Sequence, residues 1–255
     1  MQITPYAEVN EIIERILSSL QSILGKKLVG FYLYGSLVIG DFDPHVSDID
    51  LVAALASDID EQEFAELQEM HNDLTRQHTE WDNRIEVCYI SLAALNSVRS
   101  RTSQIANISP GEPFHMRESS KEWLSDWYLV RERGVTLFGP PPHEIIEPIS
   151  HDEFIQTVKD NARAWGEWVL DMHTRKDQAY AILTMCRALY TWRNGDQVSK
   201  KQAALWAQEQ LPEWSQLIRN ALVWHEASKD EQVDDEATFA ETKRFVNFVR
   251  NIILQ

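Results

Sequence analysis

Two short patterns near the start of the chain could do chemistry: a Gly35-Ser36 pair and, twelve residues after Ser36, an Asp48-x-Asp50 pair. Each is attached to an apolar run that predicts a β-strand, over residues 28–33 and 49–55. Because residues i and i+2 of a strand project from the same face, Asp48 and Asp50 present two carboxylates side by side. A cation relieves their repulsion, and Mg²⁺ typically binds one or two carboxylates together with substrate phosphates.

The Gly35-Ser36 pair predicts a turn that brings backbone N–H groups and a hydroxyl close to such phosphates. A third acid, Glu86, interrupts an apolar strand predicted from Arg84 to Ile90. An unpaired buried charge is costly, so Glu86 either faces solvent from an edge strand or joins a site. Within a site two roles are open for it, a third metal ligand or a general base. These parts predict in-line attack of a substrate hydroxyl on the α-phosphorus of a bound triphosphate, with release of pyrophosphate.

The charge of the chain restricts its partners. Of 255 residues, 24 are Lys or Arg and 40 are Asp or Glu, a net charge of −16. Residues 1–150 hold 11 basic and 24 acidic side chains (net −13), and residues 151–255 hold 13 and 16 (net −3). Long nucleic acids are disfavoured because their binding requires Lys and Arg, whereas a small cationic substrate is attracted.

The remaining composition predicts a cytoplasmic protein without a membrane partner. No apolar run approaches the roughly 20 residues that span a bilayer, and the first residues lack the basic-then-apolar pattern of a leader. Cys88 and Cys186 lie far apart, in segments that read as a buried strand and a buried helix. We expect both to be small core residues in the reduced state.

The hydrophobic periodicity predicts an α/β front domain over residues 1–150 and an all-α rear domain over residues 151–255, joined near the proline run 140–142. Front helices are expected over residues 7–24, 60–76, 92–98 and 121–133. Residues 100–119 lack periodicity and are expected to form a long loop, and the acidic stretch Asp230–Glu236 a solvated loop. Rear helices are expected near residues 151–171, 177–193, 199–210, 213–227 and 236–253.

One rear helix carries a mostly polar stripe at a spacing of three to four residues, formed by Asp177, Tyr180, Thr184, Arg187 and Thr191. Ten residues of helix span about 15 Å, so Asp177 could hold a cationic substrate at one end and Arg187 a phosphate at the other. Lys200 begins the next helix and could reach the same phosphates. Because pyrophosphate departure requires nearby cations and the front motif has few, we expect a site between the two domains.

With these segments in view, the chain resembles the aminoglycoside adenylyltransferases that modify streptomycin and spectinomycin. This resemblance implies a nucleotidyltransferase domain of the α/β (α+β) class with a mixed sheet, followed by an all-α C-terminal helical bundle. It spans nearly the whole chain and is most specific in the rear domain. The matching stretches are Leu33-Tyr34-Gly35-Ser36, Pro44-His45-Val46-Ser47-Asp48-Ile49-Asp50-Leu51, the strand around Glu86, Leu137-Phe138-Gly139-Pro140, Ile182-Leu183-Thr184-Met185-Cys186-Arg187, Ser199-Lys200-Lys201-Gln202-Ala203-Ala204-Leu205-Trp206-Ala207 and Leu211-Pro212.

The resemblance also implies roles for single residues, with ATP as co-substrate and Mg²⁺ as cofactor. It places the strand of Glu86 beside that of Asp50 and makes Glu86 the base. The residues that would handle the Mg²⁺–triphosphate are Gly35, Ser36, Ser47, Asp48 and Asp50, with Arg187 and Lys200 on the phosphates. Trp168 and Asp177 fall where the family binds the drug, since an aromatic face beside an acid suits guanidinium or ammonium groups. A helical tryptophan is more often a core residue than a ligand-binding one, so both roles stay open for Trp168.

Three departures from the family pattern bear on the substrate. Val46 lengthens the gap before the acidic pair by one residue. Residues 100–119 lack the relatives' drug-contacting tryptophan, for which Trp123 and Trp127 are candidate replacements, and a second drug-binding acid is either Asp171 or absent. Two other functions therefore stay open, AMP transfer onto a protein or onto another small hydroxyl-bearing substrate, and a nucleotide-binding regulatory module without turnover. We expect a monomer.

Overall fold

In a computed structural model, which describes residues 3–226 and 235–255, the chain forms two compact units, Met1–Ile149 and Ser150–Gln255. The first unit is built on six strands: β1 (Leu28–Leu33), β2 (Ile49–Leu55), β3 (Ile85–Ser91), β4 (Ser103–Ser109), β5 (Glu112–Ser119) and β6 (Val135–Phe138). They form one sheet in the order β5-β4-β3-β2-β1-β6. Strands β2 and β3 are parallel and every other neighbouring pair is antiparallel. This mixed sheet, followed by a helical unit, confirms the predicted fold class.

One face of the sheet is covered by an amphipathic helix whose apolar stripe the sequence shows clearly. The helices of this unit are α1 (Ala7–Leu24), α2 (Ser36–Ile39), α3 (Glu61–Gln77), α4 (Leu92–Ser97), α5 (Leu124–Arg133) and α6 (Pro142–Ile145). The stripe on α1, from Val9 to Leu24, is buried and shares an apolar core with Leu51 and Val87 of the sheet and Leu67 of α3. Apolar burial of this kind is the main source of stability for the unit.

The opposite face of the sheet carries the acids, and we call it the acid-bearing face. Side chains alternate along a strand, so Asp50 and Glu86 point away from the face that α1 covers. Next to them on the same face lie Val52 and Cys88, which pack in a second apolar core with α5. The α5 side chains in this core are Leu124, Trp127 and Val130. Helix α5 therefore covers the acid-bearing face beyond the acids themselves.

The expectation of a long loop over residues 100–119 was wrong, because this segment is the hairpin β4–β5. Ser109 pairs with Glu112, and Pro110-Gly111 makes the turn between them. Gly111 has a φ of 90°, which a glycine adopts without strain at the second central position of a Pro-Gly turn. Pro110 and Gly111 mark a tight turn inside a hairpin. Polar residues on both faces of the two strands, such as Asn107, interrupt the alternation of apolar and polar residues that would have predicted strands.

The second unit consists of helices α7 (His151–Trp168), α8 (Arg175–Asn194), α9 (Lys200–Gln210), α10 (Ser215–Glu226) and α11 (Asp235–Ile253). Helix α8 is central and packs against the other four. Its fully buried Gln178 accepts hydrogen bonds from Thr238 and Thr242 of α11 and so ties the two helices together. Of the predicted Asp230–Glu236 loop, residues 230–234 lie outside the described residues, and Asp235 already begins α11.

Both cysteines are buried and free, as predicted. Among the helices that the structure describes, none is long and apolar enough to cross a lipid bilayer.

A buried histidine makes the first unit sensitive to acid. His71 of α3 is 3% exposed, and its Nε2 lies 2.8 Å from the hydroxyl of Tyr89. Burial lowers the pKa of His71 from 6.5 to about 4. The unfolded chain takes up this proton near its ordinary pKa, whereas the folded chain does so only near the lowered one. The folded state therefore loses stability as the pH falls from 6.5 towards 4.

We predict that this histidine removes about 2 kcal/mol of unfolding free energy between about pH 6.5 and about pH 5. The double variant His71→Phe with Tyr89→Phe replaces both partners and leaves neither of them as an unpaired buried polar group. It should lose about 2 kcal/mol less unfolding free energy than the wild type between the two pH values. Urea unfolding at the two pH values measures it, and the exposed His143→Gln serves as control. An unchanged pH dependence in the double variant would contradict the assignment.

Candidate active site

The Gly35-Ser36 pair lies where β1 ends and the short helix α2 begins. Gly35 has a φ of 67°, and a Cβ at this position would lie 1.8 Å from Oδ2 of Asp50. The position therefore requires glycine both for its backbone and for its closeness to the acid. The Ser36 hydroxyl is buried and has no hydrogen-bond partner among the described residues. A buried hydroxyl without a partner is costly unless something else binds it, which fits a phosphate oxygen.

The three predicted acids come together. Asp48, Asp50 and Glu86 each offer a carboxylate oxygen, and these oxygens all lie within 4.8 Å of one another. The parallel register explains this, because Asp50 is paired directly with Glu86 across β2 and β3. Glu86 is therefore on an inner strand and inside the cluster, rather than facing solvent from an edge strand. Three converging carboxylates match the oxygen ligands that Mg²⁺ prefers.

Tyr34, whose role the sequence did not reveal, holds the candidate base. Its hydroxyl donates to Oε1 of Glu86 over 3.2 Å. Burial, and then the negative charges of Glu86, Asp50 and Asp126, raise the pKa of Tyr34 well above 10, so the phenol stays protonated and remains a donor. The hydrogen bond fixes the orientation of the Glu86 carboxylate. The adjacent Gly35-Ser36 is the only hint of this role in the sequence.

Arg84 positions the segment that leads into the acidic pair. Its guanidinium donates to the carbonyl of Ser47 from Nε at 3.1 Å and from Nη2 at 2.6 Å, and to the carbonyl of Pro44 at 2.8 Å. It also lies over the ring of Trp81, 4.6 Å from the centroid. Burial lowers the pKa of Arg84, while the neighbouring Asp48 opposes that shift. The Ser47 hydroxyl, predicted to meet the nucleotide, accepts from the backbone N–H of Asp43 at 3.0 Å.

In the second unit, Lys200 is the first residue of α9 and its ammonium lies over the ring of Tyr180, 4.4 Å from the centroid. Arg187 lies about two turns beyond Tyr180 on α8 and is partly exposed. Thr184 lies between Tyr180 and Arg187 on that helix, and its buried hydroxyl has no hydrogen-bond partner among the described residues. The polar stripe that the spacing predicts therefore exists on α8, except that Thr191 is buried and donates to the carbonyl of Arg187.

The two residues predicted to bind substrate differ in their surroundings. Trp168 is 43% exposed, which a core tryptophan would not be, and its ring contacts Trp165. Asp177 is the third residue of α8, which begins two residues earlier than predicted. Its carboxylate accepts from the backbone N–H and the hydroxyl of Thr174 in a capping box. Asp177 therefore has a structural task at the start of α8, and its role towards a substrate stays a prediction.

We predict that Gly35→Ala displaces Asp50 and weakens divalent-cation binding about 10- to 100-fold, the usual result of disturbing a metal ligand's setting. Gly25→Ala is a matched control, since Gly25 has a similar backbone conformation (φ 51° and ψ −123°, against φ 67° and ψ −146° at Gly35) but a Cβ there has nothing within 4 Å. Both variants bear backbone strain of the same kind, so the collision with Asp50 is what differs. Calorimetric titration with Mn²⁺ measures the affinities. Equal affinities in the two variants would show that Asp50 does not bind the cation.

Comparison with known proteins identifies two domains in the chain. Residues 12–109 match the family model described as nucleotidyltransferase domain, and residues 144–251 match the model described as aminoglycoside adenylyltransferase, C-terminal domain. An aminoglycoside (3'')(9) adenylyltransferase of Escherichia coli is 24% identical over 97% of this chain and 95% of its own length. A spectinomycin 9-adenylyltransferase of Staphylococcus aureus is 23% identical over 93% and 92%.

A solved structure has the same fold. The crystal structure of a spectinomycin adenyltransferase from Enterococcus faecialis, with ATP and spectinomycin, aligns with a TM-score of 0.78 and 18% identity, over 96% of this chain and 99% of that one. The two family models follow one another along this chain in the order that the resemblance implied. The chain therefore joins a nucleotidyltransferase domain, matched over residues 12–109, to the C-terminal domain of the aminoglycoside adenylyltransferase family, matched over residues 144–251.

Proposed function

We propose that the protein transfers AMP from ATP to a hydroxyl of a cationic aminoglycoside or aminocyclitol, with Mg²⁺ as cofactor and pyrophosphate as second product. The observation that carries this proposal is the convergence of Asp48, Asp50 and Glu86 beside the Gly35-Ser36 turn. The relatives support the acceptor class, because their names describe action on aminoglycosides and on spectinomycin.

The residues of the chain divide the chemistry between them. Asp48 and Asp50, with Glu86 as a third candidate ligand, would hold Mg²⁺, which when bound neutralises negative charge on the phosphates. The proton of the acceptor hydroxyl passes to the carboxylate of Glu86, and the hydroxyl oxygen bonds to the α-phosphorus of ATP. The bond from that phosphorus to the bridging oxygen breaks, and the electron pair leaves with pyrophosphate. Holding the reacting atoms in line contributes much of the rate.

We assign the second unit to binding. Arg187 and Lys200 hold phosphate oxygens, and the ring of Tyr180 restrains the Lys200 ammonium by a cation–π contact. The exposed Trp168 offers an aromatic face for the acceptor, and Asp177 supplies a negative charge for its cationic groups. In this proposal residues 1–150 carry the reaction and residues 151–255 complete the binding of both substrates. The net charge of −16 supports a small cationic acceptor over nucleic acid, and a monomer needs no second chain for any of these roles.

We predict that the purified chain releases pyrophosphate from ATP when streptomycin or spectinomycin is added, and that chelation of Mg²⁺ stops the reaction. Mass spectrometry should find the drug increased by one AMP. Absence of release with both drugs, beside a working relative as control, would reject the acceptor class. If labelled ATP then marked a protein band in a cell lysate, the alternative of AMP transfer onto a protein would replace it.

A second prediction concerns the base. Glu86→Gln keeps the shape of the side chain but cannot take a proton, so turnover should fall about 10²- to 10⁴-fold. The matched control is Glu118→Gln, an exposed acid of β5 away from the cluster. Steady-state rates with saturating ATP and drug measure the effect. Full turnover in Glu86→Gln would show that the base lies elsewhere, whereas a wild type that binds ATP without any turnover would favour a regulatory nucleotide-binding module.

A further inference from the structure

We propose that the hydroxyl of Thr184 on α8 binds an anionic oxygen of the ATP triphosphate, together with the guanidinium of Arg187. This inference rests on the proposed function and adds to it a neutral donor beside a predicted phosphate-binding cation. The sequence pattern places Thr184 on the polar stripe of α8 but assigns it no role. Its role follows from two hydrogen-bond donors of this stripe that find no acceptor among the described residues.

The Thr184 hydroxyl is the first of these donors. The residue is partly exposed, but its Oγ1 is closed off from solvent and has no hydrogen-bond partner among the described residues. A threonine inside a helix can donate to the carbonyl four residues before it, and Thr191 of the same helix does so with Arg187. Thr184 makes no such bond. A buried hydroxyl left unpaired costs stability, so this position favours an acceptor that a ligand supplies.

The Arg187 guanidinium is the second donor. Within the part of the chain that the structure describes, it makes no hydrogen bond and no ion pair, and the side chain is only partly exposed. Other arginines of this acidic chain bind carboxylates, as Arg163 does with Asp160. Arg187 therefore keeps its fork of N–H donors for a ligand.

Helix geometry brings the two donors together. Residues three apart on a helix are neighbours on one face, with Cβ atoms about 5–6 Å apart. Helical side chains also lean towards the N-terminus of the helix, which directs Arg187 over the turn that contains Thr184. An oxygen bound by the guanidinium is therefore within a few ångströms of the hydroxyl. It reaches the hydroxyl when the unpaired Arg187 side chain moves outward to meet the ligand.

The surroundings of the two donors favour an anionic acceptor. Lys200 is the first residue of α9, and its ammonium lies over the ring of Tyr180, one turn before Thr184. The start of α9, which carries the positive end of the helix dipole, therefore lies next to the stripe. The acid of the stripe, Asp177, is about two turns before Thr184, and its carboxylate binds Thr174. A phosphate oxygen carries negative charge and accepts bonds from both donors, so it meets these conditions.

The test is nucleotide binding without turnover. The probe is α,β-methylene-ATP with Mg²⁺, in which a methylene group replaces the oxygen that would leave with pyrophosphate. It is titrated calorimetrically into the full chain and into Thr184→Val, which keeps the shape of the side chain but lacks the hydroxyl. We expect Thr184→Val to weaken binding about tenfold or more, as for the loss of a hydrogen bond to a charged group, and Thr184→Ser, which restores the hydroxyl, to recover most of the affinity.

Thr191→Val is the matched control, because it removes a hydroxyl of the same helix that already donates to a backbone carbonyl. Its affinity for the probe should equal that of the wild type. Arg187→Gln, alone and combined with Thr184→Val, tests whether the two side chains bind the same oxygen. If they do, the double variant should lose less affinity than the two single losses multiplied together.

Thermal unfolding without ligand separates a binding role from a structural one. The unpaired hydroxyl is a cost to the free chain, so the Tm of Thr184→Val should equal or exceed that of the wild type. Thr191→Val, which loses a bonded hydroxyl, should have a lower Tm.

Three results would overturn the inference: equal affinities of wild type and Thr184→Val for the probe, a wild type that does not bind it, or a Tm of Thr184→Val below that of the wild type. If the drugs receive AMP while Thr184→Val binds the probe normally, the proposed function stands and the inference fails. If binding depends on Thr184 but no AMP is transferred to either drug, the proposed function fails and the inference stands.

Discussion

The parallel pairing of β2 with β3 is the constraint on which the site depends. It places Asp50 directly beside Glu86, and Asp48 immediately precedes β2. Carboxylate oxygens of the three residues therefore lie within 4.8 Å of one another. A shift of one residue in this register would turn Glu86 to the opposite face, into the core under α1. The register is held by the apolar residues that alternate with the acids, such as Ile49 and Val87, which are fully buried. The core that stabilises the unit therefore also sets the geometry of the chemistry.

Bringing like charges together is unfavourable, and the surrounding residues show how the chain tolerates it. Arg84 lies near Asp48 and binds the carbonyls of the segment that precedes it, so one side chain supplies both charge compensation and position. Tyr34 supplies a neutral donor to Glu86. The absence of a Cβ at Gly35 lets the turn approach Asp50. What remains is negative charge that a divalent cation can neutralise, together with a buried Ser36 hydroxyl that a phosphate can bind.

The helical unit illustrates how one residue can fit two explanations. Asp177 occupies the third position of α8, where its carboxylate completes a capping box, and that task alone accounts for an acid there. Lys200 is different, because a surface lysine needs no aromatic partner, yet its ammonium lies over Tyr180. The exposed Trp168 contacts the buried Trp165 of the unit's core, yet 43% of it stays exposed, which core packing does not require. These two residues are therefore better supported as binding groups than Asp177.

The sequence by itself determined the elements and the chemistry of the motifs. Local patterns can be recognised in one sequence without knowledge of the tertiary structure. They include the apolar periods of α1 and α8, the Ser199 cap of α9 and the spacing from Gly35-Ser36 to Asp48 and Asp50. Tertiary structure alone decided which side chains meet. The β4–β5 hairpin was missed because its alternation is masked by polar residues, and the roles of Tyr34 and Arg84 depend on contacts between segments distant in the chain. Strand register and helix placement create those contacts, and no spacing within one segment encodes them.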